Sequence, residues 1–212
     1  MMKVTFVVVG VIALALACTT YYFYNANKEA QHELEAKIAD ISREKEEEIE
    51  QLKGTYDELV TDMKKEIEQG QIKITQLAGR LSVSMVDKIL FPSGEAEITP
   101  DGLKILGRVG NVLKNTQNKI IRVEGHTDNV PIHSHLQKQF PTNWELSTAR
   151  ATNVVRFLQE KIGIEAVRLQ AIGMAEYHPV VSNKTSDGRS QNRRIEITLL
   201  PELAGKAPVT SE

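Results

Sequence analysis

Half of the 42 positions from Lys28 to Gln69 are charged, 14 acidic and 7 basic, and a stretch of that composition cannot close a hydrophobic core on itself. Its apolar residues nevertheless keep a helical beat. Leu34, Ile38 and Ile41, then Ile49, Leu52, Tyr56, Leu59 and Met63, follow in steps of three and four. That is coiled-coil spacing, with extra fours between Ile41 and Ile49 and between Met63 and Ile67 acting as stutters that unwind a supercoil. Gly70 is a stop signal. The spacing predicts a charged coiled-coil spacer over 28–70, ~63 Å long for its 42 positions at 1.5 Å per residue. A lone charged helix has little to stabilise it, so self-association through 28–69 is expected; a solvated helix without a partner is the alternative.

The preceding residues have the opposite character. No charge occurs from Val4 to Asn27, and Val4 to Ala17 is nearly all apolar. Extended through Tyr24, the run is long enough for a single helical span, and Tyr21, Tyr22, Phe23 and Tyr24 sit where an interfacial aromatic belt would lie. With Lys3 before it, the positive-inside rule puts the rest of the chain on the non-cytoplasmic side. A second reading of 1–27 is a secretory signal, in which Leu14-Ala15-Leu16-Ala17-Cys18 resembles a lipobox and Cys18 is the lipidated residue. The aromatic run after Cys18 favours the inner-membrane span over an outer-membrane lipoprotein. Both readings tether the chain to a membrane.

A formal charge of −2 argues against a nucleic-acid partner, and one cysteine forms neither an intramolecular disulfide nor a thiolate metal site. No metal or cofactor is expected.

From residue 71 the period changes repeatedly. Alternation at Leu81, Val83 and Met85 leading into Ile89-Leu90-Phe91 predicts a strand, with a short one at Ile72 to Ile74 before it. Thr99-Pro100 caps a helix with Leu106, Val109 and Leu113 on one face. A strand through Ile121 and Val123 follows, then a helix opened by the capping box Thr142 to Glu145 and stopped at Gly163. Strands from Arg168 and Arg194 complete an α+β fold, βαβαββ, an open mixed sheet with helices packed on it. Ligands bind such sheets where strand ends meet helix starts. Asp128 and Arg150 fall there, an anion suited to an ammonium and a fork suited to a carboxylate. A structural ion pair is the simpler alternative.

At these residues three ordered strings become specific: Gly125-His126-Thr127-Asp128-Asn129, Asn143-Trp144-Glu145-Leu146-Ser147-Thr148-Ala149-Arg150-Ala151 and Gly188-Arg189-Ser190-Gln191-Asn192-Arg193-Arg194-Ile195-Glu196. Together they resemble the OmpA-like peptidoglycan-binding domain. With Phe91-Pro92-Ser93-Gly94 and Thr99-Pro100-Asp101-Gly102, the resemblance spans roughly 80–200, inside an expected domain of 71–200 followed by a loose tail, 201–212. Phe140 to Ser147 is more similar to flagellar stator B subunit-type domains, although Val4 to Tyr24 lacks the acidic group a stator needs to carry ions. The resemblance implies a non-catalytic envelope protein whose domain, in the periplasm, binds the diaminopimelate of the peptidoglycan stem peptide through Asp128 and Arg150. Asn143 and Thr127 would line the same groove. Arg194 would support it, as a buried strut or as a contact.

Two rivals remain. His126 with Asp128 would serve a general base, and His126, His133 and His135 a zinc ion, but no nucleophile has a recognisable context. Alternatively, the coil recruits a protein partner and the globular domain only anchors it.

Overall fold

In the computed structural model of the chain, the backbone is described for residues 2–77, 79–116 and 118–202, and the side chains for 14, 16–77, 79–116 and 118–202. The chain forms two units, Met1–Ile49 and Glu50–Glu212.

The first unit is helical. It is the larger part of α1, Met2–Asp62, whose remainder belongs to the second unit. Leu34, Ile38, Ile41 and Ile49 are each more than half exposed. Ion pairs such as Lys37–Glu33 and Arg43–Asp40 line its surface and add a few tenths of a kcal/mol each at most. Most of the membrane segment expected over 1–27 falls on positions whose side chains are outside the described residues. Among the described residues no helix is long and apolar enough to cross a membrane. The tail expected over 201–212 lies, past residue 202, outside the described residues as well.

The second unit begins earlier than the sequence suggests. Leu52, Leu59 and Met63, part of the expected coiled-coil stripe, are buried in the same core cluster as Leu106, Val109 and Leu113. Steps of three and four describe any amphipathic helix, and the pattern does not say whether its partner is another helix or the chain's own domain. Arg108 fastens this end. Its Nη1 donates to the Asp62 carbonyl at 2.8 Å, and it pairs with Glu66 in α2, Lys64–Glu68.

A five-stranded sheet follows, built from β1 (Ile72–Leu77), β2 (Arg80–Val86), β3 (Lys119–His126), β4 (Leu169–Ala175) and β5 (Arg194–Pro201) in the order β1-β2-β5-β3-β4. Among the described residues only β3 and β4 pair in parallel. That pair needs a crossover, supplied by α5, Asn143–Phe157, with the turn Leu158–Ile162 and Gly163 at φ 80°. Leu81, Val83 and Met85, Ile121 and Val123, and Ile195, Ile197 and Leu199 alternate onto the core face under α4, Pro100–Lys114. The opposite face carries Ser82, Arg122, Glu124, Glu196 and Thr198.

Both expected helix caps form: Thr99 accepts from Gly102 N–H, and Thr142 with Glu145 closes a capping box. Two short helices depart from the expectation. Asp87–Leu90, read as part of a strand, is the helical turn α3, and Ser186–Asn192 is α6.

The seat of α5 is a floor without side chains. Gly125 and Gly173 are register partners on β3 and β4. A Cβ on Gly125 would lie 2.2 Å from the Ser147 carbonyl, and one on Gly173 would lie 2.1 Å from Thr148 Oγ1. Ser147 Oγ in turn accepts the Ala175 N–H at 3.1 Å. The first turns of α5 are thereby pinned over the ends of β3 and β4.

Candidate functional site

The central position of β5 brings three chain segments to one end of the sheet. Arg194 is paired with both Val86 on β2 and His126 on β3. Arg193, one residue earlier, therefore lies between Asp87, just past β2, and Asp128, just past β3. Asp87 N–H donates to the Arg193 carbonyl at 2.9 Å.

The side chains form a line of alternating charge. Arg150 Nη1 donates to Asp87 Oδ2 at 2.9 Å; Arg193 Nε stands 3.6 Å from Asp87 Oδ1; Arg193 Nη1 donates to Asp128 Oδ2. Asp128 Oδ1 accepts the Val130 N–H at 3.0 Å. Arg150 is also held by the carbonyls of Glu95 (Nε, 2.8 Å) and Pro92 (Nη2, 3.5 Å), with its guanidinium 5.0 Å from the Phe91 ring centroid. Arg150, Asp128 and Asp87 are only 3%, 5% and 6% exposed, whereas the Arg193 side chain keeps 35% of its surface. Burial raises the Asp87 carboxyl above its ordinary value against the pull of Arg150 and Arg193, and burial likewise lowers Arg150. Neither group keeps its charge cheaply without the other.

These residues wall a groove of about 400 Å³, and Thr127, Asn143 and His133 line it too. Asn143 Nδ2 donates to the carbonyls of Asp128 (3.3 Å) and Val130 (3.2 Å), fixing the loop that presents Asp128. The Thr127 hydroxyl is buried and has no hydrogen-bond partner among the described residues. Among the described residues, each terminal nitrogen of Arg150 donates to a single acceptor, Asp87 Oδ2 or the Pro92 carbonyl, although each carries two N–H groups. The groove can thus meet an anionic and a cationic group at neighbouring points.

Of the residues singled out from the sequence, Asp128, Arg150, Asn143 and Thr127 come together here. Asp128 and Arg150 do not face each other directly, because Asp87 and Arg193 stand between them. Those two were missed. Asp87 falls inside the strand that the alternation predicts, and nothing local separates Arg193 from Arg194. Arg194 lies on the other side of the sheet, its Nε 3.4 Å from Glu196 Oε2 and its Nη1 3.3 Å from the His178 carbonyl. Cys18 is an exposed free thiol of the first unit.

Among the described residues, the rival trio His126, His133 and His135 does not form a metal-binding group. His133 and His135 stack on each other, with centroids 5.8 Å apart. Among the described residues, the grouping with ligand atoms within 4.8 Å of one another joins His126 to Glu124 and Glu196 instead. Arg194 at 3.4 Å from Glu196 and Arg122 at 3.9 Å from Glu124 already balance those carboxylates, so a cation there would meet two guanidinium groups. His126, then Arg122 and Arg194, hold the Glu124 carboxyl below its ordinary value. The ionised form is favoured in the fold, so its contribution is full above the ordinary carboxylate range and is lost as pH falls through the lowered value. The unfolding midpoints of the parent and Glu124→Gln are therefore expected to converge between ~pH 7 and ~pH 3. A constant offset across that range would remove Glu124 from the acid response.

Residues 90–193 match the family described as the OmpA family. Motility protein B of Bacillus subtilis is 36% identical over 160 residues, 76% of this chain and 59% of that protein. Outer-membrane lipoprotein YfiB of Pseudomonas aeruginosa is 33% identical over 118 residues, 56% of this chain and 66% of that one. The chain thus spans less than two thirds of either relative. Among solved structures, a MotB-like protein from Desulfovibrio vulgaris superposes with TM-score 0.67 at 29% identity, over 76% of this chain and 98% of that one. The cell wall anchor of the T6SS from Pseudomonas aeruginosa gives 0.62 at 30%, over 68% and 97%. The strings at Gly125, Asn143 and Gly188, the sheet that gathers them and these likenesses agree: through residues 90–193 the chain belongs to the OmpA family.

Proposed function

We propose that this is an envelope protein that binds peptidoglycan non-covalently, its groove taking the zwitterionic end of a stem-peptide diaminopimelate while residues 1–27 tether it to a membrane. The alternating line Arg150, Asp87, Arg193, Asp128 carries this reading. Arg193 is its partly exposed and exchangeable member. A ligand ammonium that takes over Asp128 frees the Arg193 fork for the neighbouring carboxylate, so charge stays balanced throughout. Arg150 and Asp87 form the buried base that holds this arrangement. The name of one relative, a cell wall anchor, supports this class of partner, and that of another, an outer-membrane lipoprotein, supports the membrane tether.

The test is cosedimentation of the full chain with purified peptidoglycan. Asp128→Asn keeps the shape of the side chain and removes its charge. It is expected to weaken binding by about 2 kcal/mol, roughly 30-fold, with the unit still folded because Arg193 keeps Asp87 and part of its side chain in water, and with free diaminopimelate displacing the parent. Parent-like binding by Asp128→Asn would sink the groove assignment. In the same preparation, retention of Cys18→Ser in the membrane fraction supports the spanning anchor, and its release supports lipidation. The exposed stripe Leu34, Ile38, Ile41 and Ile49 favours self-association of the first unit or a helical protein partner, which sedimentation of the full chain with and without envelope extract would separate.

A further inference from the structure

Trp144 and Tyr177 stack with ring centroids 5.4 Å apart and planes 28° from parallel, and they stay 46% and 62% exposed. Both are fixed to the elements that wall the groove. Trp144 directly follows Asn143, whose amide touches the Asp128 carbonyl, and its own N–H donates to the capping hydroxyl of Thr142 at 3.1 Å. Tyr177 lies two residues beyond Ala175, whose carbonyl accepts the Thr127 N–H at 2.9 Å. An aromatic pair is thus held partly in water, with Trp144 on the first turn of α5, one residue along from the groove-lining Asn143.

A pyranose ring suits such a platform: its C–H face is apolar and its rim is polar, matching aromatic rings that carry a polar tip. A stem peptide sets its diaminopimelate a few residues from the amino sugar that bears it, ~10 Å of extended chain at ~3.3 Å per residue. Trp144 is one Cα step of ~3.8 Å from Asn143 at the groove wall. A ligand lodged by its peptide at Asp128 therefore carries its sugar within reach of the shelf. We propose that Trp144 and Tyr177 form a saccharide-binding shelf, so that the protein reads the glycan of its ligand as well as the peptide. This rests on the peptidoglycan reading of the groove.

Trp144 is the single tryptophan of the chain, so its fluorescence reports the shelf alone. The full chain is titrated with a disaccharide-tetrapeptide and, separately, with the free tetrapeptide, following heat and tryptophan emission. The disaccharide-tetrapeptide is expected to change the emission and to bind more tightly than the free tetrapeptide. Trp144→Ala and Tyr177→Ala should each weaken the disaccharide-tetrapeptide roughly tenfold, the order expected for truncating an interface aromatic, and leave the free tetrapeptide unchanged. Equal affinity of both variants and the parent for the disaccharide-tetrapeptide would overturn the shelf while leaving the groove intact. Equal weakening of both ligands would overturn it too. Failure of the parent to bind either ligand would overturn the groove reading, and the shelf with it.

Discussion

Asp87→Ala is expected to lower the stability of the second unit by about 4 kcal/mol, because removing one partner of a buried ion pair strands the other. Arg150 is 3% exposed and donates to Asp87 at 2.9 Å, so without that carboxylate its charge has no solvent to turn to. Arg193 loses the more distant of its two carboxylates as well, at 3.6 Å, and keeps Asp128. Chemical denaturation followed by Trp144 emission measures the loss. Replacing both partners should cost much less than the sum of the single changes, since Asp87→Ala with Arg150→Met leaves no unpaired buried charge. Additive single and double variants would show that Asp87 and Arg150 do not act as a pair. The same burial makes Arg150→Ala a poor probe of ligand contact, because lost binding there would be mixed with lost stability.

Gly125→Ala should cost about 3 kcal/mol, at the upper end for inserting a methyl group into a packed site. The new Cβ would lie 2.2 Å from the Ser147 carbonyl and 3.0 Å from its carbonyl carbon, both backbone atoms that no rotamer change can move. Either α5 lifts off β3 or the strand bends. Both shift Asn143 and Arg150 away from Asp128, so binding to peptidoglycan should fall together with the unfolding midpoint. Gly107 is the control. It lies in the interior of α4, and its Cβ would meet no atom within 4 Å. Gly107→Ala should therefore stabilise by about 1 kcal/mol, the difference in helix propensity alone. If Gly125→Ala and Gly107→Ala had the same effect, the close seat of α5 would not be what glycine provides at 125.

Much of this architecture was legible because its causes are local. The Thr99-Pro100 start and the Thr142 to Glu145 box are contained within a few residues, so both helices begin where the sequence places them. The alternation at Leu81, Val83 and Met85 and at Ile121 and Val123 marks strands for the same reason. Asp87–Leu90 escaped because Ile89-Leu90-Phe91 looks like a buried strand. The Leu90 carbonyl instead accepts the Thr99 N–H at 2.8 Å and the Phe91 N–H bonds back to Asp87, turning the chain out of the sheet. Ser186–Asn192 is too short and too polar to show a period.

The sequence by itself determined the helix starts, the alternating strands, the charged helix and the strings that carry Asp128, Asn143 and Arg150, since each is set by neighbours a few positions away. Tertiary structure decided what those residues meet. It docked Leu52, Leu59 and Met63 onto the chain's own core, where the spacing alone allowed a partner helix. It also placed β5 between β2 and β3, so that Asp87 meets Arg150 across 63 positions and Arg193 meets Asp128 across 65. Contacts that distant in sequence depend on strand order, and strand order follows from how the whole sheet buries its apolar face, which no local pattern encodes.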